Sequence, residues 1–242
     1  MLVGAGFVSG AINAAAGGGS LVSFPALLLA GYPPILANVT NNVAAVPGYA
    51  GGAWGYRKEL EGQGSRILPL AAVSAVGGLG GVALILASSE AAFEGIVPFL
   101  VLVATALLAF EPFVSRLSGG GLRRDRPGAG ALVGQGVAAI YGGYFGAALG
   151  VAVLALLGLT LNDSLQRLNA LKALMQLVIG FVAAVGFALL TPVAWGAAVI
   201  VGSASLVGGR TGALLARQVS DRTLRVGIVV YGIAAAVWLF VR

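Results

Sequence analysis

Gly142-Gly143-Tyr144-Phe145-Gly146 divides an apolar stretch into two pieces, Ala129 to Phe145 and Ala147 to Leu159. Neither piece has the ~20 residues that a straight membrane span needs. Together they either cross a membrane once or turn back inside it, and the charges elsewhere in the chain decide which. The polar connections at 57–66, 116–127 and 217–225 hold three, four and three Lys or Arg, while those at 88–95 and 191–192 hold none. Basic loops stay on the cytoplasmic side. A single crossing by residues 129–159 would put the 217–225 connection outside. A re-entrant hairpin puts all three basic connections inside and both termini outside, so the hairpin is the reading we adopt.

That a membrane is involved follows from composition. Of 242 residues, 59% are hydrophobic and 9% charged, and the mean hydropathy is +0.99. A soluble domain is nearer a quarter charged. The chain has no Cys and no His, which excludes disulfides, thiol chemistry and imidazole-based acid/base or metal sites. The net charge of +6 sits in the loops and sets orientation; it is no nucleic-acid signature. No basic lead precedes the first apolar segment, so no cleavable signal peptide is expected.

The first half shows the same plan. Leu2 to Ala16 and Ser20 to Gly31 are short apolar pieces around Gly17-Gly18-Gly19, and spans are expected at Ile35–Tyr56, Ile67–Ala87 and Ile96–Val114. In the second half the spans follow at Leu165–Leu190, Val193–Ala216 and beyond Arg225 to Phe240. Gly208-Gly209-Arg210-Thr211-Gly212 occupies the place of Gly77 to Gly81, and Asn169-Ala170-Leu171-Lys172 falls near the place of Thr40 to Val43. The expected fold is an all-α polytopic membrane protein of two inverted-topology repeats, each a broken helical hairpin plus three spans. The repeats cover 1–117 and 129–242, joined by a basic cytoplasmic linker at 118–128.

Lys172 is the first candidate for chemistry. It lies inside an apolar span, where an ionisable residue is expensive and its default reading is functional; the bland alternative is a lysine that snorkels to the interface. Asn169 adds a polar group one turn away. Asn38, Thr40, Asn41 and Asn42 supply uncharged donors and acceptors near another helix start, with N-capping and interhelical hydrogen bonding as the alternative. Breaks at Gly17, Gly18 and Gly19 and at Gly143 and Gly146 free backbone amides and aim half-helix N-termini at the interior. Gly77/Gly81 and Gly208/Gly212 read as helix-packing glycines, Arg210 as a core or paired cation, Asp163 or Ser164 as the N-cap of the Lys172 helix, and Asp163 and Arg167 as cap and interface groups. No two carboxylates share a span, so cation binding, a carboxylate proton relay and catalysis are poorly supported. Amides, hydroxyls, helix N-termini and one lysine complement a small oxyanion.

Ala14-Ala15-Ala16-Gly17-Gly18-Gly19, Phe24-Pro25-Ala26-Leu27, Gly31 and Ala37-Asn38-Val39-Thr40-Asn41 resemble the first-half signature of the TauE/SafE sulfite exporter family. Gly142 to Ala147 and Asn169-Ala170-Leu171-Lys172 resemble its second-half signature, although Ala147-Ala148-Leu149-Gly150 is less glycine-rich than the first break. The resemblance implies a permease for a sulfur oxyanion such as sulfite or an organosulfonate. An anion channel of the same architecture is the alternative. A multi-pass protein of the plasma or inner membrane is expected, without enzymatic activity, cofactor or nucleic-acid partner. Proton coupling and homo-oligomerisation stay open.

Overall fold

The computed structural model describes residues 1–117, 124–215 and 221–241, among which it contains ten helices. The linker stretch 118–123, the 216–220 part of the last basic connection and residue 242 lie outside the described set, as do the side chains of 14–16, 111–117, 210–215 and 221–225, Arg210 and Arg222 among them. In chain order the helices are α1 (Leu2–Ala16), α2 (Ser20–Leu29), α3 (Pro34–Gly55), α4 (Gly64–Ala87), α5 (Glu90–Leu117), α6 (Ala129–Tyr144), α7 (Leu149–Thr160), α8 (Leu165–Leu190), α9 (Trp195–Leu215) and α10 (Asp221–Val241). Three of them, at 64–87, 90–110 and 165–190, are long and apolar enough to cross a membrane by length and composition. Their outward faces carry large exposed apolar side chains, with Leu68 75%, Val76 72% and Leu189 77% exposed, a surface suited to lipid. The protein is an all-helical, polytopic membrane protein.

The paired short helices are hairpins. With 15 and 10 residues, α1 and α2 extend about 22 Å and about 15 Å, short of a ~30 Å hydrocarbon core. For the second pair, backbone hydrogen bonds show that entry and exit share one face: Arg124 N donates to Thr160 O (3.1 Å) and Asn162 N to Arg124 O (3.0 Å). The chain therefore leaves the hairpin on the side where it entered.

The same face is clasped by charge. Arg66 pairs with Asp163, which also accepts from Arg167 Nε at 3.0 Å. Arg66 Nε donates to Asp125 O at 2.6 Å, and Arg167 Nη1 to Glu61 O at 3.2 Å. Burial alone would raise the Asp163 pKa; the Ser164 N–H, Arg167 and Arg66 outweigh it and hold the carboxyl below its ordinary 3.8. Ser164, not Asp163, caps α8, accepting from Arg167 N. On the opposite face α5 begins at Glu90, earlier than the expected Ile96. Ser89 Oγ accepts from Ala92 N (3.2 Å) and Glu90 sits in the first turn, both of which favour a helix start. Glu90 also accepts from Ile35 N, satisfying an amide at the start of α3.

Helix pairing is the same when the halves are exchanged. α1 lies chiefly on α9 and α6 on α4; α3 packs on α9 and α8 on α4; α3 meets α8, and α5 meets α10. Close approaches repeat in register. A methyl group on Gly77 would stand 2.8 Å from Gly136 O, and one on Gly208 would strike Phe7 O. The shift that carries Gly17 onto Gly146 carries Phe7 onto Gly136. The shift that carries Gly77 onto Gly208 carries Tyr49 onto Gly180, and these two counterparts touch each other. Gly52 faces Ala173 while Tyr49 and Val46 face Gly180, so α3 and α8 run antiparallel. In this register Asn169 is the counterpart of Asn38 and Lys172 that of Asn41, a shift from the alignment with Thr40 to Val43 suggested by hydropathy; the helix starts Pro34 and Leu165 set it.

Candidate functional site

The two breaks meet. α1 ends at Gly17, whose φ of 73° is left-handed and whose N–H donates to Asn13 O at 3.0 Å. α6 ends in the same way, with Gly146 at φ 77° and its N–H on Tyr141 O. Glycine adopts this conformation at little cost and so closes a helix C-terminus. A methyl group on Gly17 would lie 3.4 Å from Cα of Gly150, in the first turn of α7. Phe24 and Phe145 join the hairpins beside this point, edge to face at 5.2 Å, and Gly18 packs on Leu108. Both breaks are thus covered by protein, as irregular backbone inside a membrane must be.

The polar start of α3 is spent on holding the second break. Asn38 Nδ2 donates to Tyr144 O at 2.8 Å, and Asn42 Nδ2 donates to Asn38 O at 3.1 Å. Asn42 Oδ1 faces Gly146, where a methyl group would come within 2.9 Å of it. Tyr141 Oη donates to Ala147 O (2.6 Å), pinning the same loop. Gly143 belongs to the crossing of α6 with α4, directly against Gly78. Thr40 Oγ1 accepts from Ala194 N (3.1 Å), just before α9. None of these bonds is to Lys172.

Asn41 turns instead to a pocket of hydroxyls and amides. Ser23 Oγ donates to Asn41 Oδ1 at 2.5 Å and lies 3.1 Å from Ser9 Oγ. Ser9, Asn13, Ser20, Ser23, Asn41 and Ser205 line a cavity with space of about 10 Å³ for water-sized molecules, roughly one water. Gly19 sits at its wall, beside Ser9. Sequence reading missed the serines and Asn13. The usable signal was spacing: Ser9/Asn13 and Ser20/Ser23 each share one helical face on either side of the break.

Lys172 lies on α8, half-buried, and its Nζ donates to Asn169 Oδ1 at 3.0 Å. Asn169, Lys172 and Gln176 follow one another along one helical face. Gln176 is 4% exposed, its amide lies against Gly150, and its Nε2 has no hydrogen-bond partner among the described residues. So the structure brings Gly17 to α7 beside the Gln176 end of the α8 stripe, and Asn41 to the serine pocket, while Asn38, Thr40, Gly143 and Gly146 work at other joints. No group of three metal-ligating side chains occurs among the described residues.

Residues 2–239 match the family described as sulfite exporter TauE/SafE. The chain is 30% identical over 108 residues to "Probable membrane transporter protein ORF9" of Sinorhizobium sp., covering 45% of this chain and 41% of that one. It is 33% identical over 107 residues to "Probable membrane transporter protein" of Haemophilus influenzae, covering 44% and 42%. The alignments thus span less than half the length of either relative. No solved structure matches the chain. With nearly its whole length matched and apolar helices of membrane-crossing length, the chain belongs to the TauE/SafE family of membrane transporters.

Proposed function

We propose that this protein carries a small sulfur-containing oxyanion, of the sulfite or organosulfonate class, across the plasma or inner membrane. The site is the junction of the two broken hairpins with the Lys172 stripe of α8. The observation that carries this reading is the meeting of Gly17 with the first turn of α7, next to a span that holds an intramembrane cation. Half-helix N-termini and uncharged donors suit an anion, and an ammonium group supplies the opposite charge. Asn169 orients the ammonium; Asn41 and the serines offer further donors; Asn38, Thr40, Gly143 and Gly146 keep the breaks in place.

The halves 1–117 and 129–242 are, in this reading, inverted repeats. Support comes from the exchange symmetry of the helix pairing and from the antiparallel course of α3 and α8. Inverted repeats whose broken elements meet at the centre permit alternating access by rocking one against the other. The clasp around Asp163 lies on the cytoplasmic side, and Glu90 with Thr191 on the outside. In this reading transport is proton-coupled.

Flux of sulfite, thiosulfate, sulfate and a short sulfonate into proteoliposomes, with and without a pH gradient, tests the reading. Saturable uptake of a sulfur oxyanion is expected. Non-saturating conductance of all small anions would favour the channel, and absence of any flux would sink both.

A further inference from the structure

One side chain at the junction is more costly than packing requires. Gln176 is 4% exposed and its Nε2 meets no hydrogen-bond partner among the described residues. A buried amide left unpaired destabilises the fold, and an apolar chain of the same length would not. The counterpart of this position in the first half is Ala45, so the helix pairing does not demand a polar group there. The amide also lies flat against one place, with Nε2, Oε1 and the amide carbon at nearly equal distance from it. A methyl group on Gly150 would stand 2.9 Å from Nε2, and Gly150 is in turn the neighbour of Gly17. Gly150 lies in the first turn of α7, a helix of 12 residues in which the Leu149 N–H is taken by Gly146 O and the Val151 N–H by Ala148 O, so what this end offers an anion is chiefly its dipole.

From these observations we infer that Gln176 is a substrate-binding residue: its Nε2 donates to one oxygen of the transported oxyanion at the N-terminus of α7. Lys172 lies one turn earlier on the same face, with Cβ atoms about 5–6 Å apart at that spacing. An anion with two or more oxygens bridges the ammonium and the amide, each on its own oxygen. A halide is reached by both donors only where they converge on one centre, so the amide adds less to its binding. Gln176 thereby selects polyatomic oxyanions over chloride, while Lys172 supplies charge recognition for either. This inference rests on the transporter reading of the same junction.

Two substitutions test it from opposite sides. Gln176→Met keeps the length of the side chain and removes the donor. Gly150→Ala keeps the glutamine but places a methyl group where its amide lies; Gly150 has no left-handed backbone, and alanine is the better helix former. In purified protein, both should weaken sulfite binding about tenfold to a hundredfold, the effect of losing a hydrogen bond to a charged group. Chloride binding should change far less. The melting temperature without ligand should stay level or rise. Wild-type sulfite affinity in both variants, or a lower ligand-free melting temperature in Gln176→Met, would overturn the inference and mark a packing amide. If wild-type protein itself ignores sulfite, thiosulfate and methanesulfonate, the substrate class falls first and this assignment with it. A wild-type response shared equally by both variants sinks the inference alone.

Discussion

The N-terminal halves of α3 and α8 hold equivalent places in the two halves of the chain and use their polar side chains in opposite ways. Along α3 the Asn38 amide donates to the carbonyl of Tyr144 and the Asn42 amide to that of Asn38, while Asn41 accepts from Ser23. Along α8 a lysine bonds to the asparagine below it, and a glutamine above carries an unpartnered donor. Equivalent positions thus divide the labour. One helix start satisfies the backbone of a break that passes through apolar surroundings, where each unmet group costs several kcal/mol. The other keeps the unpartnered amide of Gln176 beside the junction, which lowers stability and leaves binding capacity. A membrane protein built from two similar halves can separate support from recognition by a few substitutions on matching helices.

The largest effect that would break this comparison is on transport. Lys172→Met should abolish sulfite flux with folded yield intact, since methionine preserves the apolar stem and removes the charge. Lys172→Arg should also be impaired, because a planar fork does not replace a compact ammonium. Next comes folded yield. Gly81→Leu forces a side chain into the backbone of Ile140, Gly143 and Tyr144 and should remove most of the folded protein seen by size-exclusion chromatography, while any surviving fraction keeps its anion preference. A change of preference in well-folded protein would move Gly81 into the transport path.

A smaller effect is expected from the supporting side. Asn38→Leu leaves the Tyr144 carbonyl without its donor, which costs about 1–3 kcal/mol; thermal unfolding should occur earlier, with substrate affinity unchanged. The smallest effect concerns the clasp at the membrane face. The Asp163 carboxyl is held below 3.8, so its contribution is complete above that value and is lost as pH falls below it. Asp163→Asn should therefore lower the melting temperature at pH 7 by roughly 2–4 °C per kcal/mol lost and flatten the acid limb of the stability curve. An unchanged acid limb would show that other carboxylates govern it.

The architecture was legible where composition alone determines it. Residues 165–190 are a helix with the bounds read from the sequence, because Ser164 caps a long apolar run. The second hairpin was legible from loop charge, and the hydrogen bonds of Arg124 to Thr160 and Asn162 bear it out. The start of α5 was misplaced because Glu90 and Glu94 look like a connection, whereas acidic residues in a first turn stabilise a helix. Side-chain partners were not legible. Asn38 bonds to Tyr144 and Thr40 to Ala194, both more than a hundred residues away, and no local period encodes such pairs. Gln176 went unnoticed because a lone amide among apolar residues resembles packing until its missing partner is seen. The serines of the pocket escaped notice for the same reason.

The division between support and recognition is tested most directly by measuring sulfite affinity and ligand-free melting temperature for Lys172→Met and Asn38→Leu in one assay on purified protein. The account predicts that Lys172→Met melts like wild type and no longer binds sulfite, whereas Asn38→Leu melts earlier and binds with wild-type affinity. Normal sulfite binding by Lys172→Met, or lost binding at unchanged stability in Asn38→Leu, would contradict it.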